Sequence, residues 1–392
     1  MNNCIKSVLK HLRSKFPQMG TTIFSVMSAL AAEHNALNLA QGFPEFDCSM
    51  DLKELVYQAM LNGANQYAPM PGLMALRQVI SDKVRLCQEV EYNPHTEITV
   101  TAGATQAIFT AIACLVNPGD EVLFFEPAYD CYVPAIEAFG GVPVPIALRF
   151  PEYEYDWELV KKHLSDKTRL LILNSPNNPC GKVLTQSDIS QISILADSFP
   201  FFILSDEVYE HLVFDGRQHL SVCKSSELKS RSFIVSSFGK SYHNTGWKIG
   251  YVLGPELMMN EFRKIHQYLV FSVHHPSQVA LAEFLKNADS YLSLPSFYQT
   301  KRDLFLSGID NTGWKPLKTE GTYFQLLKIP DGLKGPDESV ARELTIRYKL
   351  ASIPVSAFYS DKTDHRVLRF CFAKNDDTLL KATEILSSIP LK

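Results

Sequence analysis

Between residues 97 and 255, short apolar runs recur, and each hands over to a stretch of helical character. No other feature limits the fold so strongly. EITVT (97–101) precedes GATQAIFTAIACLV, EVLFF (121–125) precedes EPAYDCYVPAIEAFG, and RLLIL (169–173), FFILS (201–205) and SFIVS (232–236) follow in turn. Most of these runs are continuous in Val, Ile, Leu and Phe rather than alternating apolar and polar residues. That is the pattern of strands buried on both faces of a parallel sheet with helical crossovers. GWKIGYVLG (246–254) reads as one more strand, antiparallel and at the sheet's edge. A chain of 392 residues usually forms more than one domain. The expected architecture is α/β, with a large domain (49–288) on a mostly parallel central sheet and a smaller α+β domain (289–392). Residues 1–48 supply an N-terminal arm and part of the smaller domain.

Composition matters here mainly for what it excludes. A net charge of −4 gives no footprint for a nucleic-acid partner. The run IFTAIACLV is far too short to span a membrane. Eight cysteines are scattered singly, with no spacing that would hold a metal, so free thiols in a reducing compartment are expected. The first twenty residues carry Lys6, Lys10, Arg13 and Lys15 without an acid, a faint likeness to a transit peptide. They lack a hydrophobic stretch, and the reading is a cytoplasmic enzyme with a short helical arm.

In open α/β sheets ligands bind at the carboxyl ends of the strands. Gly103, Ala104, Thr105, Tyr129, Asn178, Asp206, Tyr209 and Lys240 all follow such ends. Lys240 stands in SSFGKSYH, where GKS imitates the tail of a nucleotide-phosphate loop, but the Gly that pattern needs at 234 is Ile234. A surface lysine is the plain reading. A desolvated amine that bonds a carbonyl cofactor is the alternative. Asp206 ends an apolar strand and serves either as a helix N-cap or as the partner of a protonated pyridine nitrogen. Tyr209 would share its side of a helical turn and reach a ring oxygen. Glu207 and His211, four apart, have no third ligand nearby for a metal. The turn at Gly103–Thr105 exposes backbone N–H groups at a helix start, where Ser237 and Lys248 would add a hydroxyl and a charge for a phosphate. Arg369, in VLRFCF, is either half of an internal ion pair or a clamp on a substrate carboxylate.

Taken in order, Gly42 in NLAQGFPEFD, Tyr67 in NQYAPMPG, TAGATQA, NSPNNPCGKV, SDEVYEHL, SSFGKSYHNTGWKIGY and LRFCFAK resemble the fold-type I, pyridoxal-phosphate-dependent aminotransferases of class I/II. The likeness runs from about Pro17 to the C-terminus. Within the family it is closest to bacterial methionine aminotransferases and kynurenine aminotransferases. The resemblance implies that Lys240 forms an aldimine with the cofactor and shuttles the substrate's proton. Asp206 would keep the pyridine nitrogen protonated, and Tyr209 and Asn178 would bond the ring oxygen. Tyr129 would stack on the ring, and Ala104, Thr105, Ser237 and Lys248 would hold the phosphate. Many relatives carry Arg where this chain has Lys248. Tyr67 would reach in from a second subunit of a homodimer. Arg369, with Asn178 and the Gly42 backbone, would clamp the carboxylate, and Phe24 and the partner-side Phe271 would line an apolar side-chain pocket. The implied activity moves the amino group of an apolar or aromatic L-amino acid, methionine favoured, to an α-keto acid. A C–S β-lyase acting on cysteine S-conjugates is the rival on the same fold. Too few residues precede Pro17 for the DNA-binding domain of a regulator built on it.

Overall fold

The apolar runs come together as one seven-stranded sheet in the structure, a computed structural model that describes residues 12–17, 19–310 and 312–390. The basic segment expected as a helical arm lies, up to residue 11, outside the described residues. The strands are β1 (Ile98–Thr101), β2 (Glu121–Glu126), β3 (Val142–Ala147), β4 (Thr168–Asn174), β5 (Phe202–Asp206), β6 (Ser232–Ser237) and β7 (Gly250–Leu253). Their order is β1-β7-β6-β5-β4-β2-β3. From β6 to β3 every pairing is parallel, whereas β7 runs against both β6 and β1.

Two expectations about this sheet need correction. The strand in GWKIGYVLG is antiparallel but internal, and β1 takes the edge instead. β7 pairs along both of its sides, with β1 and with β6, which makes it internal. The other edge is β3, a strand missed in VPVPIA because two prolines interrupt the pattern. Pro143 and Pro145 lack an N–H, and a strand paired on one side only can do without those donors.

Strand geometry explains why the runs read as unbroken. Successive side chains alternate between faces. Phe124, Leu204, Val235 and Val252 pack on one face with Ala107, Ile108 and Ala111 of the helix Ala104–Leu115. Leu123, Phe125, Leu171, Ile203 and Ile234 fill the core on the other face. Each such side chain contributes about 1.5–3 kcal/mol by leaving water, so both faces are built mainly of apolar residues.

A smaller antiparallel sheet holds β8 (Lys315–Pro316), β9 (Phe324–Lys328), β10 (Ile353–Pro354) and β11 (Val367–Cys371), ordered β10-β11-β9-β8. Leu326 stands opposite Arg369. Its core draws on distant parts of the chain. Met27 and Ala31 of the helix Ile23–Glu33 and Leu39 pack with Leu344, Leu350, Phe370 and Leu379. Leu37–Asn38 pairs in parallel with Leu350–Ala351. No helix among the described residues is long and apolar enough to cross a membrane.

Candidate active site

The carboxyl ends of β4, β5 and β6 set the scaffold of the site. At the end of β4, the Asn174 side chain donates to the backbone carbonyl of Asp206 (3.0 Å) and accepts from the N–H of Asn178 (2.8 Å). One amide thus fixes β4 against β5 and places the loop that carries Asn178.

Asp206 ends β5 and is 3% exposed. Its Oδ2 accepts from the Tyr132 hydroxyl at 2.6 Å and its Oδ1 accepts weakly from the Val208 N–H at 3.4 Å. Burial pushes this carboxyl up to about 6. The chain after it forms a turn and not a helix, so the N-cap reading of Asp206 does not apply. That turn is held by two side-chain pairs. Glu207 meets His219 at 2.7 Å and Glu210 meets Lys83 at 2.7 Å. Glu207 therefore partners His219 and not a metal, and among the described residues no cluster could hold a metal ion. Tyr209, on the same turn, sets its ring edge-on to Tyr323 with centroids 5.1 Å apart, and burial raises its phenol above the ordinary value.

Lys240 sits on the single helical turn Phe238–Ser241 that follows β6 directly. Its Nζ donates to the carbonyl of Gly42 and to the hydroxyl of Tyr323, both at 3.0 Å. Both acceptors are neutral. Burial brings the amine down to about 8, and the nearby positive charges of Arg369 and Lys248 act in the same direction.

Arg369 lies in β11 and is fully buried. Nη1 donates to Asn178 Oδ1 at 2.7 Å and Nη2 to the carbonyl of Ala40 at 3.0 Å. Its Nε has no partner. No carboxylate is among its hydrogen-bond partners, which removes the ion-pair reading. Three rings surround the guanidinium, with Phe324 at 3.9 Å and Phe24 and Phe358 each at 5.2 Å. Burial lowers its pKa to about 10, so it stays cationic near neutrality.

At the end of β1, Gly103 precedes the helix Ala104–Leu115 with φ of 80° and no side chain capping the first turn. A Cβ on Gly103 would lie 3.2 Å from Lys248 Nζ, and one on Gly250 would lie 3.1 Å from the N of Ala104. The small residues let an amine and two backbones close around a helix N-terminus, which is an anion cradle. Thr105 is the second residue of that helix, and Ser237 is the last residue of β6. Tyr67 and Phe271 pack edge to face at the surface, ring centroids 5.0 Å apart, and are 79% and 45% exposed. No hydrogen bond or ring contact ties them to Lys240 or Arg369 of their own chain.

Sequence reasoning missed Tyr132, Tyr323 and the Ala40 carbonyl. Tyr132 had a weak signal, three residues after Tyr129. The other two reach the site only through the packing of the smaller sheet.

The sheet thus brings a desolvated amine, a buried carboxylate and an uncapped helix start together at the carboxyl ends of its strands. The family model "Aminotransferase class I and II" matches residues 34–386. Methionine aminotransferase of Escherichia coli is 44% identical over 96% of this chain and 98% of its own. The solved structure of that bacterium's YbdL, described as having a methionine aminotransferase function, superposes with a TM-score of 0.95 at 44% identity, covering 96% of this chain and 99% of that one. Human kynurenine–oxoglutarate transaminase 1 is 34% identical over 91% of this chain and 93% of its own. The chain belongs to the class I and II aminotransferases, a pyridoxal-phosphate-dependent family.

Proposed function

We propose that this aminotransferase takes the amino group from an apolar or aromatic L-amino acid, methionine favoured, and passes it to an α-keto acid. The observation that carries this reading is Arg369, a buried cation whose Nε is unpaired and whose surroundings are Phe24, Phe324 and Phe358. A carboxylate would satisfy the guanidinium, and the rings would favour an apolar side chain beside it. The likeness to the E. coli methionine enzyme points the same way.

The residues present suit the parts of pyridoxal phosphate. The uncapped helix start with Ala104, Thr105, Ser237 and Lys248 would take the phosphate. Asp206 would face the ring nitrogen, Tyr209 and Asn178 the ring oxygen, and Tyr129 the ring face. Lys240 would take the aldehyde. When bound, the cofactor supplies an aldehyde that condenses with amines and a ring that accepts the electron pair left at the substrate's Cα. With its carboxyl near 6, Asp206 is mostly ionised at neutral pH and would hold a proton on the ring nitrogen. Lys240, near 8, exists in both protonation states around neutrality, as a group that gives and takes a proton must. Arg369 would orient the carboxylate and so fix which bond at Cα faces Lys240.

The same reading carries the division into a large domain (49–288) and a smaller one (289–392, with part of 1–48). It also carries a homodimer in which Tyr67 and Phe271 of each subunit complete the other's site. The test is a kcat/KM comparison of methionine, phenylalanine, kynurenine and aspartate on purified holoenzyme, with the keto-acid product identified. A preference for aspartate would refute the apolar pocket. Pyruvate and ammonia released from a cysteine S-conjugate faster than any transamination would favour the β-lyase.

A further inference from the structure

We propose that Tyr323 is a positioning residue for Lys240, its hydroxyl and the Gly42 carbonyl together forming a seat that receives the amine whenever it is not covalently engaged. The inference rests on the reading of Lys240 as the amine that carries the cofactor, and adds a residue which that reading does not use. The geometry is a closed triangle. Lys240 Nζ donates to Tyr323 Oη and to Gly42 O, both at 3.0 Å, and Tyr323 Oη donates to Gly42 O at 2.6 Å. The Tyr323 proton is therefore committed to the carbonyl, which leaves the phenolic oxygen's lone pairs turned toward the amine. Burial holds that phenol well above its ordinary value, so it remains a neutral hydroxyl over the working pH range.

Each corner of the triangle is fixed by other packing. Tyr323 is fully buried, with Tyr209 edge-on at 5.1 Å and Tyr298 at 5.8 Å. Gly42 has the Phe324 ring behind it, where a Cβ would come within 3.1 Å. Phe324 in turn lies on Arg369, and Arg369 bonds Ala40, two residues before Gly42. Segment 40–42 thus gives one carbonyl to each of the two buried cations. The other groups that face Lys240 are Cys371, Arg369, Lys248 and Asp206, with the rings of Tyr209 and Tyr323 each 5.6 Å away. Of the side chains around the amine, Tyr323 is the one that accepts a hydrogen bond from it.

A hydrogen bond to the charged form of a group favours that form. Removing the hydroxyl should therefore lower the pH at which the amine gives up its proton. The experiment follows acylation of Lys240 against pH on the full-length, cofactor-stripped chain, with the modified peptide quantified by mass spectrometry. The midpoint for Tyr323→Phe should fall by about one pH unit, the size expected for a hydrogen bond to a charged group. Tyr298→Phe removes a neighbouring buried hydroxyl that has no partner and should leave the midpoint in place. Tyr323→Leu, also without the oxygen, should shift it in the same direction and serves if the Phe variant does not fold. A midpoint unmoved, or raised, in a folded Tyr323 variant would overturn the seat. Borohydride trapping of pyridoxal phosphate on wild type separates the two readings. A trapped adduct on another lysine would sink the role of Lys240 itself, whatever Tyr323 does.

Discussion

Lys240 and Asp206 are costly residues to bury, and their titration turns that cost into a measurable slope. The amine's value in the folded chain, about 8, lies below its ordinary 10.5. Between these two values the unfolded chain binds more protons than the folded one, so stability rises with pH across that window. Below about pH 8 the full cost of the buried ammonium is present. Cofactor-stripped Lys240→Met should accordingly melt above wild type at neutral pH, with the gap closing as pH approaches 10.5. Calorimetry over that range checks this, and the variant should lose transamination by roughly 10²–10⁴-fold or more. Asp206 runs in the opposite sense. Its carboxyl is raised from 3.8 to about 6, so its contribution to stability is complete below 3.8 and lost as pH climbs through 6. Asp206→Asn should therefore be more stable than wild type above pH 6 and indistinguishable near 3.8. Its turnover should fall by about 10²-fold or more, because a charge-stabilising partner is gone.

Individual strands and turns place these groups, and some of that was visible in the chain. Five apolar runs became strands within a residue or so of their expected bounds, because strands buried on both faces are built mainly of apolar side chains. The polar residues at their ends stood out for the same reason, each costly where it sat unless partnered. Two features stayed hidden. The prolines of β3 masked an edge strand, and the place of β7 between β1 and β6 is decided by pairing that spans the chain. Arg369 was visible as an anomaly in an apolar strand, but its surroundings, Asn178, Ala40 and three rings, come from five separate segments. Arg369→Lys keeps the charge and loses the planar fork; it should raise KM for the amino donor about 10- to 100-fold with a smaller change in kcat. Gly103→Ala puts a methyl 3.2 Å from Lys248 Nζ at a φ of 80°, which an L side chain adopts with strain. It should cost about 1 kcal/mol of stability in a thermal melt and speed the release of cofactor on dialysis.

At the scale of the whole molecule, two segments each carry several exposed aromatic and aliphatic side chains. Tyr57, Met60, Leu61 and Tyr67 belong to one, and Leu257, Tyr268 and Phe271 to the other. Exposed apolar side chains of this kind would suit the proposed dimer. Mixing two inactive variants provides a sharp check. In a hybrid dimer of Tyr67→Ala and Lys240→Ala subunits, one site would hold both native residues if Tyr67 acts across the interface. Random exchange should then restore about a quarter of wild-type sites. No recovery in a mixture shown to exchange subunits would place Tyr67 outside the neighbour's site. The interleaving within one chain has a consequence for synthesis. The strands of the larger sheet follow one another from residue 98 to 253, so they can pair as they leave the ribosome. Leu37–Asn38 leaves earlier still, yet its partner, Leu350–Ala351, is made near the end. Gly42 and Ala40 are thus held in waiting until Tyr323 and Arg369 arrive. During translation the part of the pocket built on the larger sheet can exist before the part that Tyr323 and Arg369 complete.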